Sequence, residues 1–271
     1  MPLYSAVCPL PVNRIKNRLF DPDARDYILR VEAADGKRLE SQVRGAINSF
    51  VIGCKADGIW TAIRASCIMA GARTVAGAIT PLVGNAPTNN NFVIGDYSRT
   101  LGLLGNDSNK HLATGYNNND TTNFPQNDSH MSCFVSVSQT DTSGILIGTI
   151  ASVGYRFILY YNSTTNIFAR NRSITVSGSI SQAPLGFQGT SRNNSANFNY
   201  RLTSSSGAVS STAIAVSGVP TNELLGVFAS GSATIFSAAR MSFYSIGKSL
   251  TLSSLDSRVT TLMNTLASVI A

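Results

Sequence analysis

The feature that most constrains this chain is a change of period. From Tyr27 to Ile68 apolar residues recur at helical spacing, whereas beyond Phe92 they alternate. The first pattern buries one face of a helix and the second one face of a strand. Between them, Thr80-Pro81-Leu82-Val83-Gly84-Asn85-Ala86-Pro87-Thr88-Asn89-Asn90-Asn91 holds two prolines, a glycine and four asparagines, which a helix interior does not tolerate. A domain boundary is expected there.

Residues 1–20 read as an extended N-terminal arm, because Pro2, Pro9 and Pro11 interrupt any period and such a segment gains order by lying on another surface. Its basic residues Arg14, Lys16 and Arg18 are the attachment candidates, set to meet an acidic partner. A helical attachment region, 21–83, follows. Asp21-Pro22-Asp23 offers a cap and a first-turn proline for a helix carrying Tyr27, Ile28, Val31 and Ala34, ended at Asp35-Gly36. A second helix is expected from Leu39, Val43, Ala46, Ile47, Phe50 and Val51, closed by Gly53. A third is expected from Ile59, Trp60, Ile63, Cys67 and Ile68, closed by Gly71.

Residues 84–271 are expected to form a β-sandwich. Strands are predicted at Met131–Val137, Ile145–Ile150, Tyr155–Tyr161, Ile167–Arg170, Ile174–Val176, Asn197–Leu202, Ala213–Val216, Leu224–Phe228 and Met241–Ser245. Separators such as Thr142-Ser143-Gly144 and Ser204-Ser205-Ser206-Gly207 are turn material, and many short, closely spaced strands fit a sandwich or jelly roll. An amphipathic C-terminal helix, 252–270, carries Leu255, Val259, Leu262, Met263, Leu266, Val269 and Ile270. It either packs back on the sandwich or pairs with another subunit.

The charge excludes more than it suggests. The net +7 is spread, with 11 Lys/Arg against 7 Asp/Glu in residues 1–74 and 10 against 7 in 75–271, and the Arg14–Arg18 run lacks the aromatics that stack on bases. No nucleic-acid partner is expected. Cys8, Cys54, Cys67 and Cys133 form no CxxC pair and read as buried, reduced thiols. Neither a signal peptide nor an 18-residue apolar span is apparent, so no membrane insertion is expected.

Two stretches carry resemblances. Arg240-Met241-Ser242-Phe243-Tyr244-Ser245-Ile246-Gly247-Lys248-Ser249-Leu250, with the capped helix after it, resembles the closing segment of laminin-G-like, concanavalin A-like jelly rolls. The run Leu39 to Val83, with Gly53-Cys54-Lys55-Ala56-Asp57-Gly58-Ile59-Trp60 and Ala70-Gly71-Ala72-Arg73-Thr74, resembles uncharacterised virion structural proteins of tailed phages and prophages; Asn90-Asn91-Phe92-Val93 extends it. These resemblances imply a mainly β fold, a concanavalin A-like jelly roll preceded by an arm and a small helical region, in a virion component.

Concanavalin A-like folds include glycosidases, whose chemistry needs a carboxyl pair. The chain has only Glu32, Glu40 and Glu223, two of them in the helical region. His111 and His130 read as exposed loop histidines with no nucleophile elbow beside them. A chain that is not an enzyme is expected, with no cofactor. Asp96, Asn106, Asp107, Asn117, Asn118, Asn119, Asp120 and Asp128 offer oxygen ligands for calcium, but turn formation explains them better. For carbohydrate recognition the loops offer Tyr116, Asn117, Asn118, Arg170, Asn171, Arg172 and Asn193, aromatic and amide groups of the kind sugar sites use.

The expected function is therefore that of a tail-fibre or tail-tip component, assembled in the bacterial cytoplasm into a virion. Its N-terminal region attaches it to other virion proteins, as a homo-oligomer, a trimer, while its jelly roll recognises a host-surface glycan by avidity. A capsid decoration protein is the alternative, and a glycan depolymerase a further one.

Overall fold

A computed structural model describes residues 20–138, 143–149, 155–163, 166–174 and 178–270. The arm candidates Arg14, Lys16 and Arg18 lie outside them, as does Cys8.

Helix α1 (Pro22–Asp35) starts where Asp21 accepts a hydrogen bond from the Asp23 amide and stops at Gly36, whose φ of 63° is the left-handed value glycine supplies at no steric cost. Helix α2 (Ser41–Ala56) buries Val43, Ala46, Ile47, Phe50, Val51 and Cys54. The third expected helix does not form. Trp60–Ala62 make a single 3-10 turn and strand β1 (Ile63–Ile68) follows; a four-residue helix, α3 (Val75–Ala78), comes later. The long C-terminal helix is α4 (Leu252–Val269).

The other strands are β2 (Pro81–Val83), β3 (Thr88–Asn90), β4 (Tyr97–Ser98), β5 (Gly102–Leu104), β6 (His111–Asn117), β7 (Ser129–Val137), β8 (Gly144–Gly148) and β9 (Arg156–Ser163). They continue as β10 (Asn166–Ser173), β11 (Gly178–Ile180), β12 (Gly186–Arg192), β13 (Asn197–Ser204), β14 (Gly207–Ile214), β15 (Leu224–Val227) and β16 (Arg240–Gly247). The fold is mainly β, two antiparallel sheets forming a sandwich, as expected. One sheet runs β14-β13-β12-β7-β16-β1-β2, with β5 against β16 and β4 against β5; the other runs β11-β10-β9-β8-β15-β6-β3.

The first sheet is buried on both faces around β1, β2, β12 and β16. Its inner face packs Met131, Cys133, Phe198, Leu202, Met241, Tyr244 and Ile246 against Leu146, Phe157, Leu159, Ile167 and Val227 of the second sheet. Its outer face offers Ile63, Ile68, Leu82, Phe187 and Phe243 to Val43, Ile47 and Phe50 of α2 and to Leu255, Val259, Leu262 and Leu266 of α4. Phe50 meets Phe243 edge to face, centroids 5.9 Å apart. Burying each such side chain stabilises by about 1.5–3 kcal/mol, so α4 is an integral layer; its apolar stripe packs back on its own sandwich.

Residues 63–83 therefore belong to the sandwich. β1 pairs with β16 from Ile63↔Gly247 to Ile68↔Phe243, and β2 with β1; the expected boundary at 83/84 falls between strands that serve the two sheets. Polar contacts fix the helices further. Asp35 accepts from the Arg73 and Thr74 amides at 2.7 and 2.9 Å, and Glu40 bridges Arg73 and Arg99.

Neither histidine is an exposed loop residue. His111 opens β6 with its ring edge-on to Phe236. His130 lies in β7, wholly buried, its Nδ1 2.5 Å from the Lys248 carbonyl oxygen and its Nε2 2.7 Å from Ser245 Oγ. Burial pushes its pKa down to about 4. Cys54, Cys67 and Cys133 are buried free thiols, and burial pushes Cys54 and Cys67 up to about 12. Among the described residues no helix is long and apolar enough to cross a membrane.

Candidate functional site

Most of the residues expected to bind sugar are scattered or buried. Arg172 and Asn118 are fully buried. Arg172 Nη1 donates to both the backbone and the side-chain oxygen of Asn118, and Nη2 to the Phe124 carbonyl at 2.9 Å. Its guanidinium lies 4.7 Å from the Phe157 ring centroid. Arg172 is a clamp on the loop after β6, out of reach of a surface ligand. Asn171 is buried too, its Oδ1 accepting from Ser129 Oγ. Tyr116 is half-buried, edge-on to Phe124, and its hydroxyl accepts from the Asn85 amide. Asn117 is exposed at the end of β6, opposite Leu224. Arg170 stands elsewhere, on β10, over the Tyr160 ring and donating to the Ile174 carbonyl.

A second buried guanidinium, Arg192, donates to the carbonyls of Asn171, Asn194 and Ala215 at 2.9, 3.1 and 2.8 Å. Among the described residues, neither arginine hydrogen-bonds a carboxylate. Burial and the charge of Arg192 push Arg172 down to about 9, and burial pushes Arg192 down to about 10. Carbonyl dipoles and the faces of Phe157 and Phe198 hold these charges, which makes both residues structural.

Among the calcium candidates, Asp96, Asn106 and Asp120 hold local turns and Asp128 ties its loop to Ser249. Asp96 accepts from the Val93 amide and pairs with Lys110. Asn106 Oδ1 accepts from the amides of Ser108, Asn109 and Lys110. Asp120 accepts from the amides of Thr122 and Asn123, and Asp128 from the Ser249 amide and hydroxyl. Among the described residues, no three His, Cys, Asp or Glu side chains are placed to hold a metal ion.

Of the residues expected to bind sugar, Asn193 enters a cavity. It is exposed at the end of β12 and lines a groove of about 550 Å³ with Asn199, Arg201, Ser210, Thr212 and the start of α4, Ser249 to Ser253. The floor is the outward face of β13 and β14, where Thr212 donates to Asn199 Oδ1 at 2.7 Å. Arg201 is fixed between Asp256 and Ser210, at 2.5 and 2.7 Å, so the floor carries paired charges with no excess. The wall is closed by Ser191, whose hydroxyl donates to the Leu250 carbonyl at 2.9 Å and accepts from its amide. Thr251, the N-cap of α4, makes no side-chain cap bond, leaving first-turn amides without intrahelical acceptors.

Chemically the groove offers amides, hydroxyls and backbone donors around one neutralised ion pair. That suits an uncharged, hydroxyl-rich ligand, and its volume falls in the range of small-molecule sites. The sequence signal for its floor was present in the polar outward positions Asn199 and Arg201 of a predicted strand. The wall had no such signal, since it exists only once α4 folds back.

No protein-family model matches this chain, and no curated protein does. Among solved structures it is similar to a Trypanosoma rangeli sialidase in complex with sialic acid, at 9% identity and a TM-score of 0.44, over 75% of this chain and 33% of that one. An arabinofuranosidase complexed with arabinofuranosyl-alpha-1,2-xylobiose aligns at 11% identity and a TM-score of 0.38, over 59% and 40%. A Shewanella oneidensis MR-1 protein of unknown function aligns at 13% and 0.36, over 60% and 75%. The chain thus spans about a third of the sialidase's length. The glycoside hydrolases among these neighbours overturn the expectation that the chain is not an enzyme. At such identities and TM-scores they bring no activity to it either.

Proposed function

We propose that this chain is a structural component of a tailed-phage virion, in the tail fibre or tail tip, that recognises a host-surface glycan through the groove between β13, β14 and the start of α4. The observation that carries the recognition reading is the groove itself: about 550 Å³, lined by Asn193, Asn199, Arg201 and six or more hydroxyl side chains, with its one ion pair internally neutralised. The virion placement rests on the sequence resemblance of Leu39 to Val83 and of the closing segment Arg240 to Leu250. A shallow polar groove binds weakly alone, so presentation in several copies supplies useful avidity.

Two measurements test this reading. On a glycan array the full chain is expected to retain a defined set of neutral saccharides, and the exposed pair Asn193→Ala and Asn199→Ala to weaken that retention by about tenfold, the equivalent of one or two hydrogen bonds. Retention of nothing, or retention indifferent to both substitutions, refutes the groove. Antibody labelling of intact virions is expected on the tail; label over the head would place the chain among capsid decoration proteins instead.

A further inference from the structure

Among the described residues, strand β14 is the outermost strand of the first sheet, paired on one side only, with β13. It is eight residues long, and Gly207 through Thr212 are all exposed. Such an edge presents a row of unpaired backbone donors and acceptors, and proteins normally blunt it with charge, proline or a bulge. Here none of these devices is used. From Leu202 to Val219 the sequence contains no Asp, Glu, Lys, Arg or Pro, and the β13–β14 register runs from Asn197↔Ile214 to Ser204↔Gly207 without a shift. Ile214, in the strand, is 92% exposed, and Val216 and Val219, just after it, are 70% and 76% exposed.

We propose that the β14 edge is a self-association surface, at which two copies of this chain pair antiparallel, β14 against β14, to make one continuous sheet across the dimer. Three observations select a second copy as the occupant. The exposed groups are main-chain donors and acceptors, which another strand satisfies. The molecule carries a net charge of +7, so two copies repel over most of their surface and least at a long uncharged border. The strand is also complementary to itself. Pairing centred on Ser211 sets Ser210 opposite Thr212, Val209 opposite Ala213 and Ala208 opposite Ile214, with no like charges facing. An isologous contact of this kind uses up both edges and closes at two copies. It also places two ligand grooves on one sheet surface, because Ser210, Ser211 and Thr212 line the groove on the same strand.

The test is sedimentation velocity of the full chain over a wide concentration range, alongside variants Val209→Lys and Ile214→Lys. Both positions are exposed and lie outside the groove lining, and each puts a charge from both copies at the seam. The wild type is expected to show a concentration-dependent dimer, each variant to associate at least about tenfold more weakly, and the β14 amides that do not face β13 to exchange more slowly as concentration rises. A wild type that stays monomeric throughout, or a dimer that neither folded variant weakens, overturns the proposal. Glycan retention by a folded monomer would leave the groove reading standing, so the two ideas fail separately.

Discussion

Replacing Arg172 by methionine tests whether the buried guanidinium is a clamp. Methionine keeps most of the stem volume and removes the charge and every donor. Three acceptors lose their partner: the backbone and side-chain oxygens of Asn118 and the Phe124 carbonyl. A buried acceptor left unsatisfied costs about 1–3 kcal/mol, and losing a desolvated cation–π contact such as that with Phe157 costs about 1–2 kcal/mol. Against this, the substitution removes a charge that no carboxylate among the described residues hydrogen-bonds, and relief of that desolvation offsets part of the loss. The loop after β6 can also relax and let water reach some carbonyls. The balance is a destabilisation of about 2–4 kcal/mol, which in a chain of this size lowers the melting temperature by roughly 5–15 °C. Urea denaturation followed by far-UV circular dichroism measures it, with Arg172→Lys as a partial replacement expected to fall between the two. Glycan retention by the folded Arg172→Met protein should equal that of the wild type, because the residue does not line the groove. A variant within about 0.5 kcal/mol of the wild type would refute the clamp, since carbonyls that tolerate its loss cannot have depended on it.

Two further perturbations follow from the same interior. His130 is held neutral by burial, with its pKa near 4 against 6.5 for a free imidazole, so between those values the unfolded chain binds more protons than the folded one. Stability is complete above pH 6.5 and falls as pH drops toward 4, by up to about 3 kcal/mol; urea midpoints measured between pH 4 and 7 should lose that slope in His130→Gln, and an unchanged slope would remove His130 as its source. Gly102→Ala should cost about 3 kcal/mol or more, because Gly102 has a φ of 86° and an added Cβ would stand 2.1 Å from the Met241 carbonyl oxygen, forcing β5 off β16. A melting temperature within a few degrees of the wild type would show that this close approach can relax.

Local chemistry settled a good part of the fold in advance. Asp21, Pro22 and Gly36 marked both ends of α1 because caps and left-handed stops act through nearest neighbours. β7, β9, β13 and β16 were legible because each begins or runs through an alternating or strongly β-forming stretch, and α4 because its stripe repeats at helical spacing. β1 was misread for a definite reason. Ala65, Cys67 and Met69 face the inter-sheet core, and Ile63 and Ile68 face the helices, so a strand covered on both sides shows no polar alternation and its apolar run mimics a helix. β12 escaped notice for the opposite reason: Gln188, Thr190, Ser191 and Arg192 are polar yet buried, satisfied by strands and loops distant in sequence. The same cause moved Arg172 and Asn118 from expected binders to interior clamps. A side chain's type states what partners it needs, and the sequence alone determined those needs together with the local elements. Whether the partner is solvent, a ligand or a carbonyl brought from elsewhere in the chain was decided only by tertiary packing, because that packing removes water from some polar groups and, by folding α4 onto the first sheet, builds a groove around others.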